Sequence, residues 1–210
     1  MLSHGGPTGS TDTALDMQPQ YWTSRGIRGG RRQLRWQQWL YRAHRERLRD
    51  NWGIVDIDDC VNAAKYLIAR GDVDPDRVTI RGWSASGYTT LAALTFSDFF
   101  KAGASRLRHQ RTGIMATETH KFESRYLDGL LGPYPAAERV YDARSPINFV
   151  DNLNCPLILF QGLEDKVVPP NQAEMMFDAV KAKGIPVAYV PFEGEQHGFR
   201  RREHHPFDRG

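Results

Sequence analysis

Arg81-Gly82-Trp83-Ser84-Ala85-Ser86-Gly87-Tyr88-Thr89-Thr90 lies between a short β-rich run, Val78-Thr79-Ile80, and Leu91-Ala92-Ala93-Leu94, whose composition predicts helix. A serine among small residues at a strand-to-helix joint has the layout of a nucleophile elbow. The sharp turn lifts the hydroxyl clear of the sheet edge. It also aims the next backbone N–H, that of Ala85, at an oxygen that becomes negative during acyl transfer. The helix starting there adds the positive end of its dipole. Strand and helix pass closely at such a joint, so the residues two places either side of the serine must be small. Gly82 and Ser86 meet that demand. Gly-x-Ser-x-small alone also describes many surface turns, so its partners decide the reading.

Those partners follow in the order Ser…Asp…His, the order of the α/β-hydrolase triad. Cys155-Pro156-Leu157-Ile158-Leu159-Phe160-Gln161-Gly162 predicts a buried strand, ending in Leu163-Glu164-Asp165. After a helical stretch, Val187-Ala188-Tyr189-Val190-Pro191 predicts a second strand, followed by Glu193-Gly194-Glu195-Gln196-His197-Gly198-Phe199. Asp165 and His197 thus fall just past the carboxyl ends of strands, on the sheet edge that carries the elbow. Glu164 could do the chemistry of Asp165. His44, His109, His120, His204 and His205 compete with His197, but His44 precedes the serine, His120 precedes a helix, and His109, His204 and His205 lie in stretches that break the pattern of the chain. His204-His205 has no carboxylate or cysteine pattern for a metal site.

The chain resembles the catalytic domain of the prolyl oligopeptidase family, nearest its acylaminoacyl-peptidase and dipeptidyl-aminopeptidase branch. The residues that carry the resemblance are His4-Gly5-Gly6-Pro7, Gly82-Trp83-Ser84-Ala85-Ser86-Gly87-Tyr88, Gly162-Leu163-Glu164-Asp165 and Glu195-Gln196-His197-Gly198-Phe199, with a weaker match at Tyr21-Trp22-Thr23-Ser24. It implies an α/β-hydrolase fold, a mostly parallel sheet with helices on both faces. It implies Ser84 as nucleophile, Asp165 as orienting acid and His197 as base. It further implies that Ala85 and the His4-Gly5-Gly6 loop hold the oxyanion, that substrates are peptides or acyl-peptides, and that no cofactor is needed. Ser86 departs from the family's glycine. Only Met1, Leu2 and Ser3 precede the His-Gly-Gly loop, where the fold has a central strand, and the larger members add an N-terminal β-propeller. The expectation is a partial catalytic domain spanning 1–210, incomplete at both termini. A carboxylesterase of the same fold and an inactive peptidase fragment are the alternatives.

Composition agrees with one globular domain: 210 residues, 40% hydrophobic and 25% charged, with a formal net charge of +3 that implies no acidic partner. Cys60 and Cys155 form no disulfide framework or metal spacing and are expected as buried small hydrophobes. No apolar run approaches the roughly 20 residues of a membrane span, and no leader pattern opens the chain, so a cytoplasmic location is expected.

Three stretches break the pattern. From Arg25 to Arg49 there are nine arginines, no lysine and one acid, Glu46. Three readings compete: arginines interleaved with Trp36, Trp39 and Tyr41 binding nucleic acid, a solvated basic face, or out-of-frame translation. Suitable codons for Arg28 to Leu40, read one base over, spell a β-branched strand and a glycine loop. The fold needs that text here, so the frameshift is favoured and nucleic acid is not expected as a partner. The same exercise works for 106–116 and for the tail 200–210. Elsewhere helices are expected over Thr11–Ser24, from Ile54 to Arg70 with Ile54, Val61, Ala64, Leu67 and Ile68 inward, and over Asn171–Lys183 with Ala173, Met176, Phe177 and Val180 inward.

Overall fold

The computed structural model describes residues 1–9, 15, 17–29, 46–106, 125–165, 170–197 and 199. The bulk of the arginine-rich stretch, 107–116, the tail from 200, and the competing histidines 44, 109, 120, 204 and 205 lie outside the described residues. Arg28 pairs with Asp72 at 2.5 Å on the surface, and the Arg25 guanidinium stacks on Tyr21 at 3.7 Å.

Four strands, β1 (Thr79–Trp83), β2 (Ala102–Arg106), β3 (Leu157–Gly162) and β4 (Val187–Phe192), form one sheet in chain order, every neighbouring pair parallel. Parallel neighbours need a crossover between them, and helices supply it. α3 (Ala85–Phe96) links β1 to β2, and α5 (Asn171–Ala182) links β3 to β4. Between β2 and β3, the short α4 (Glu138–Ala143) and a 3₁₀ segment, Pro146–Asn152, lead back to the sheet. On the outer side of β1, Leu2 bridges in parallel to Arg81, whose N–H donates to the Met1 carbonyl at 3.0 Å. The first residues therefore run as a strand beside the elbow strand and deliver the His4-Gly5-Gly6 loop to the same sheet edge.

Alternation along the strands separates the two faces. Ile80, Gly82, Gly103, Ser105, Leu157, Leu159 and Gln161 are buried, whereas Trp83, Arg106, Phe160, Val190 and Phe192 on the other face keep partial exposure. The buried face packs on α3, in which every residue from Ala85 to Thr95 is buried. Most polar side chains of so enclosed a helix find partners within the protein. Thr90 donates to the Ser86 carbonyl at 2.8 Å, and Thr89 to the Asp56 carboxylate at 2.6 Å. Tyr88 stacks on Trp52 and donates to the Arg144 carbonyl at 2.8 Å, tying α3 to the segment after α4.

α2 (Val55–Ala69) corrects the expected inward face: its buried stripe is Asp56, Ile57, Asp59, Cys60, Ala63 and Ala64, with Val61 and Ile68 only partly covered. Hydropathy could not place Asp56 inside. The carboxylate is accommodated because it accepts the Gly53 N–H at 2.6 Å as well as the Thr89 hydroxyl. Burial raises its pKa, and the two hydrogen bonds oppose that rise. α1 (Met17–Thr23) occupies the later part of the expected Thr11–Ser24 helix, and its Met17 and the preceding Leu15 face solvent. α5 places Ala173, Met176 and Val180 inward as expected, with Phe177 partly buried, and ends at Gly184, whose φ of +72° suits a helix stop. Cys60 is buried as expected, while Cys155 is only half-buried because it stands just before β3 begins.

Candidate active site

Ser84 is the residue between β1 and α3, with φ 56° and ψ −126°. A side chain held at positive φ costs about 1–3 kcal/mol and persists only where its surroundings enforce it. Here the enforcement is steric and polar. A β-carbon on Gly82 would collide with the Ser86 carbonyl, so strand and helix meet only over a glycine. Ser86 also closes the turn: its Oγ accepts the Trp83 N–H at 2.7 Å and donates to the Trp83 carbonyl at 2.8 Å. The departure from glycine at Ser86 thus adds a polar clasp without loosening the elbow.

Ser84 Oγ lies 3.2 Å from His197 Nε2, and His197 Nδ1 lies 2.9 Å from Asp165 Oδ2. A carboxylate only accepts, so Nδ1 carries the hydrogen and the Nε2 lone pair faces the serine hydroxyl. Asp165 is 7% exposed, while its neighbour Glu164 is exposed. Burial and the bond to His197 thus fall on Asp165, the acid that the resemblance favours over Glu164. The acid-bearing and base-bearing loops are joined by the Glu164 N–H donating to the Glu195 carbonyl at 2.9 Å.

The residues expected to hold an oxyanion lie on two segments that come close beside the elbow. Ala85 opens α3, so its N–H is among those with no partner inside the helix. The His4–Gly9 stretch folds over the elbow, with the Trp83 ring and carbonyl 3.6 Å from where a Gly5 β-carbon would stand. Gly6, at φ +62°, starts a turn closed by the Gly9 N–H on the Gly6 carbonyl at 2.8 Å. The His4 imidazole is buried, with Nδ1 3.2 Å from the Gly5 carbonyl.

Three further residues shape the site without carrying a motif of their own. The Trp83 indole N–H donates to the His197 carbonyl at 3.4 Å. The Arg106 guanidinium lies 3.8 Å over Phe199, two residues beyond His197. Desolvation lowers its pKa, and the buried Glu195 opposes that shift. Tyr126 contacts Thr8 of the His4–Gly9 stretch. Their signals lie in long-range contacts, which local spacing does not show. Among the described residues no three His, Cys, Asp or Glu side chains converge on a metal position, and no helix is long and apolar enough to cross a membrane.

A parallel sheet with the serine at a strand-to-helix elbow, and the acid and histidine beyond the two following strands, defines an α/β-hydrolase. The model of the prolyl oligopeptidase family matches residues 14–209, and the chain belongs to that family. Its structure is similar to that of a Mycobacterium tuberculosis puromycin-hydrolyzing peptidase, with TM-score 0.87 and 48% identity, covering 94% of this chain and 31% of that one. It is also similar to Pyrococcus horikoshii acylaminoacyl peptidase, with TM-score 0.85 and 27% identity over 94% of this chain and 32% of that one. In sequence it is 30% identical over 158 residues to dipeptidyl aminopeptidase BIII of Pseudoxanthomonas mexicana, covering 72% of this chain and 23% of the relative. The chain thus spans about a quarter to a third of the length of these relatives.

Proposed function

We propose that this chain carries the catalytic machinery of a serine peptidase acting on peptide or acyl-peptide substrates. Ser84 Oγ attacks the scissile carbonyl carbon as His197 Nε2 takes the hydroxyl proton, and Asp165 holds the imidazole and balances the positive charge it gains. The carbonyl oxygen becomes an oxyanion facing the Ala85 N–H and the Gly5-Gly6 backbone. Collapse of this intermediate expels the amine, which takes the proton from His197, and leaves an acyl group on Ser84. Water, deprotonated by His197, then releases the acid and restores the hydroxyl.

The observation carrying this reading is the hydrogen-bonded line from Ser84 Oγ to His197 Nε2 at 3.2 Å and from His197 Nδ1 to Asp165 Oδ2 at 2.9 Å. Amide substrates are supported by the peptidase relatives, since a triad on this fold serves esters equally well. The test is covalent labelling of the folded chain by a fluorophosphonate, with Ser84→Ala alongside. Labelling lost in Ser84→Ala is expected. Soluble, folded protein that does not label would overturn the proposal. Turnover of a nitrophenyl ester with none of a peptide amide would reassign the substrate to esters.

A further inference from the structure

Two glycines, Gly5 and Gly6, supply the second half of the oxyanion site, and glycines are the residues least able to hold a backbone still by themselves. One end of their loop is fixed, because Leu2 bridges to Arg81 of β1. Past the loop's own Gly6–Gly9 turn, the side-chain hydrogen bonds that fix Thr8 come from Tyr126, 118 residues away in a 3₁₀ turn, Tyr126–Gly129. The Thr8 N–H donates to the Tyr126 hydroxyl oxygen at 3.1 Å, and the two hydroxyls share a hydrogen bond of 2.6 Å.

We infer that Tyr126 is a positioning residue for the oxyanion donors, acting through Thr8 on the backbone of Gly5 and Gly6. The inference rests on the reading of Ser84 as nucleophile. Donors stabilise an oxyanion only within about 2.7–3.1 Å of its final position, so a loop free to drift loses most of its effect. The Tyr126 hydroxyl thus makes two hydrogen bonds to Thr8, one to its backbone N–H and one to its side chain.

Tyr126→Phe in the same chain tests this, because it keeps the half-buried ring and removes only the hydroxyl. Hydrogen exchange read by mass spectrometry should show peptides covering residues 3–9 exchanging about tenfold faster, as expected for an amide that has lost its partner. Fluorophosphonate labelling should slow about five- to twentyfold, and kcat for a nitrophenyl ester should fall with KM within about twofold, the signature of transition-state stabilisation alone. Thr8→Val keeps the N–H and removes one hydroxyl, so its effect should be smaller. The double variant should be no slower than Tyr126→Phe, since both changes cut one link. Unchanged exchange in residues 3–9 overturns the inference whether or not the protein labels. Faster exchange with unchanged labelling and kcat overturns the catalytic part. A wild type that does not label at all overturns the Ser84 reading and the catalytic part with it, while the exchange data separately decide whether Tyr126 holds the loop.

Discussion

Gly162 and Glu195 approach so closely that a β-carbon on Gly162 would lie 2.5 Å from the Glu195 carbonyl oxygen and 2.6 Å from that of Gln196. The loop carrying Asp165 and the loop carrying His197 thus meet over a residue with no side chain. Gly162→Ala must push them apart. Because displacing a catalytic group by about 1 Å can cost on the order of 10²-fold, labelling by a fluorophosphonate is expected to slow by that order. Stability should fall by about 1–3 kcal/mol, the usual cost of overpacking, as read by urea denaturation. Unchanged labelling would mean that the two loops have slack.

Asp165 and Glu164 are adjacent acids with opposite expectations. Asp165→Asn keeps the size of the side chain but can donate to Nδ1, which favours the wrong imidazole tautomer. A loss on the order of 10³–10⁴ in kcat is expected from that change. Glu164→Gln, on an exposed side chain, should leave kcat within about twofold, as exposed substitutions away from special features usually do. Steady-state kinetics on a nitrophenyl ester separate the two, and a loss confined to Glu164→Gln would reverse the assignment.

Ser86 offers a stability test within the elbow. Ser86→Ala keeps a small residue beside Gly82 but leaves the Trp83 N–H and carbonyl without the hydroxyl that now meets both. Removing a buried partner in this way costs about 1–3 kcal/mol. Thermal unfolding of the variant should report that loss, and an unshifted melting temperature would show that the clasp contributes nothing.

The site was more legible in the sequence than the scaffold that holds it. Ser84, Asp165 and His197 stand out because each follows a strand and their order is fixed by the fold, both of which local text displays. The structure brings all three together, with Ala85 and the Gly5-Gly6 loop beside them. Between Glu164 and Asp165 the residues alone left both possible and the family resemblance favoured Asp165; the structure adds that Asp165 is the buried one and bonds His197. Asp56 on α2 was invisible because hydropathy ranks an acid outward, whereas the Gly53 N–H and Thr89 hydroxyl that admit it come from other turns and another helix. Tyr126 and Arg106 act across 118 and 93 residues respectively, on Thr8 and on Phe199, and no window of sequence spans such pairs.

Asp56 also makes stability depend on pH. Its folded pKa is raised above the ordinary value by burial. Between that ordinary value and the raised one, the folded state binds the proton and the unfolded state does not. The stabilisation is therefore complete below about pH 4 and declines as pH rises through the folded pKa. Asp56→Asn has no such proton. The stability of the wild type minus that of Asp56→Asn should fall as pH is raised from about 4 and then level off, which melting curves at a series of pH values would show. A difference that rises with pH would mean that the two hydrogen bonds outweigh desolvation.

The groups that converge at the elbow come from Gly5, Ser84, Asp165 and His197, nearly the full length of the described chain. Contacts between residues so distant in sequence close large loops, and they form late and slowly in folding. A half-folded chain can hold a helix or a strand pair, but it cannot hold this site. A fluorophosphonate added during refolding therefore acts as a clock: the moment at which Ser84 first takes the label marks the moment at which the two ends of the chain have found each other.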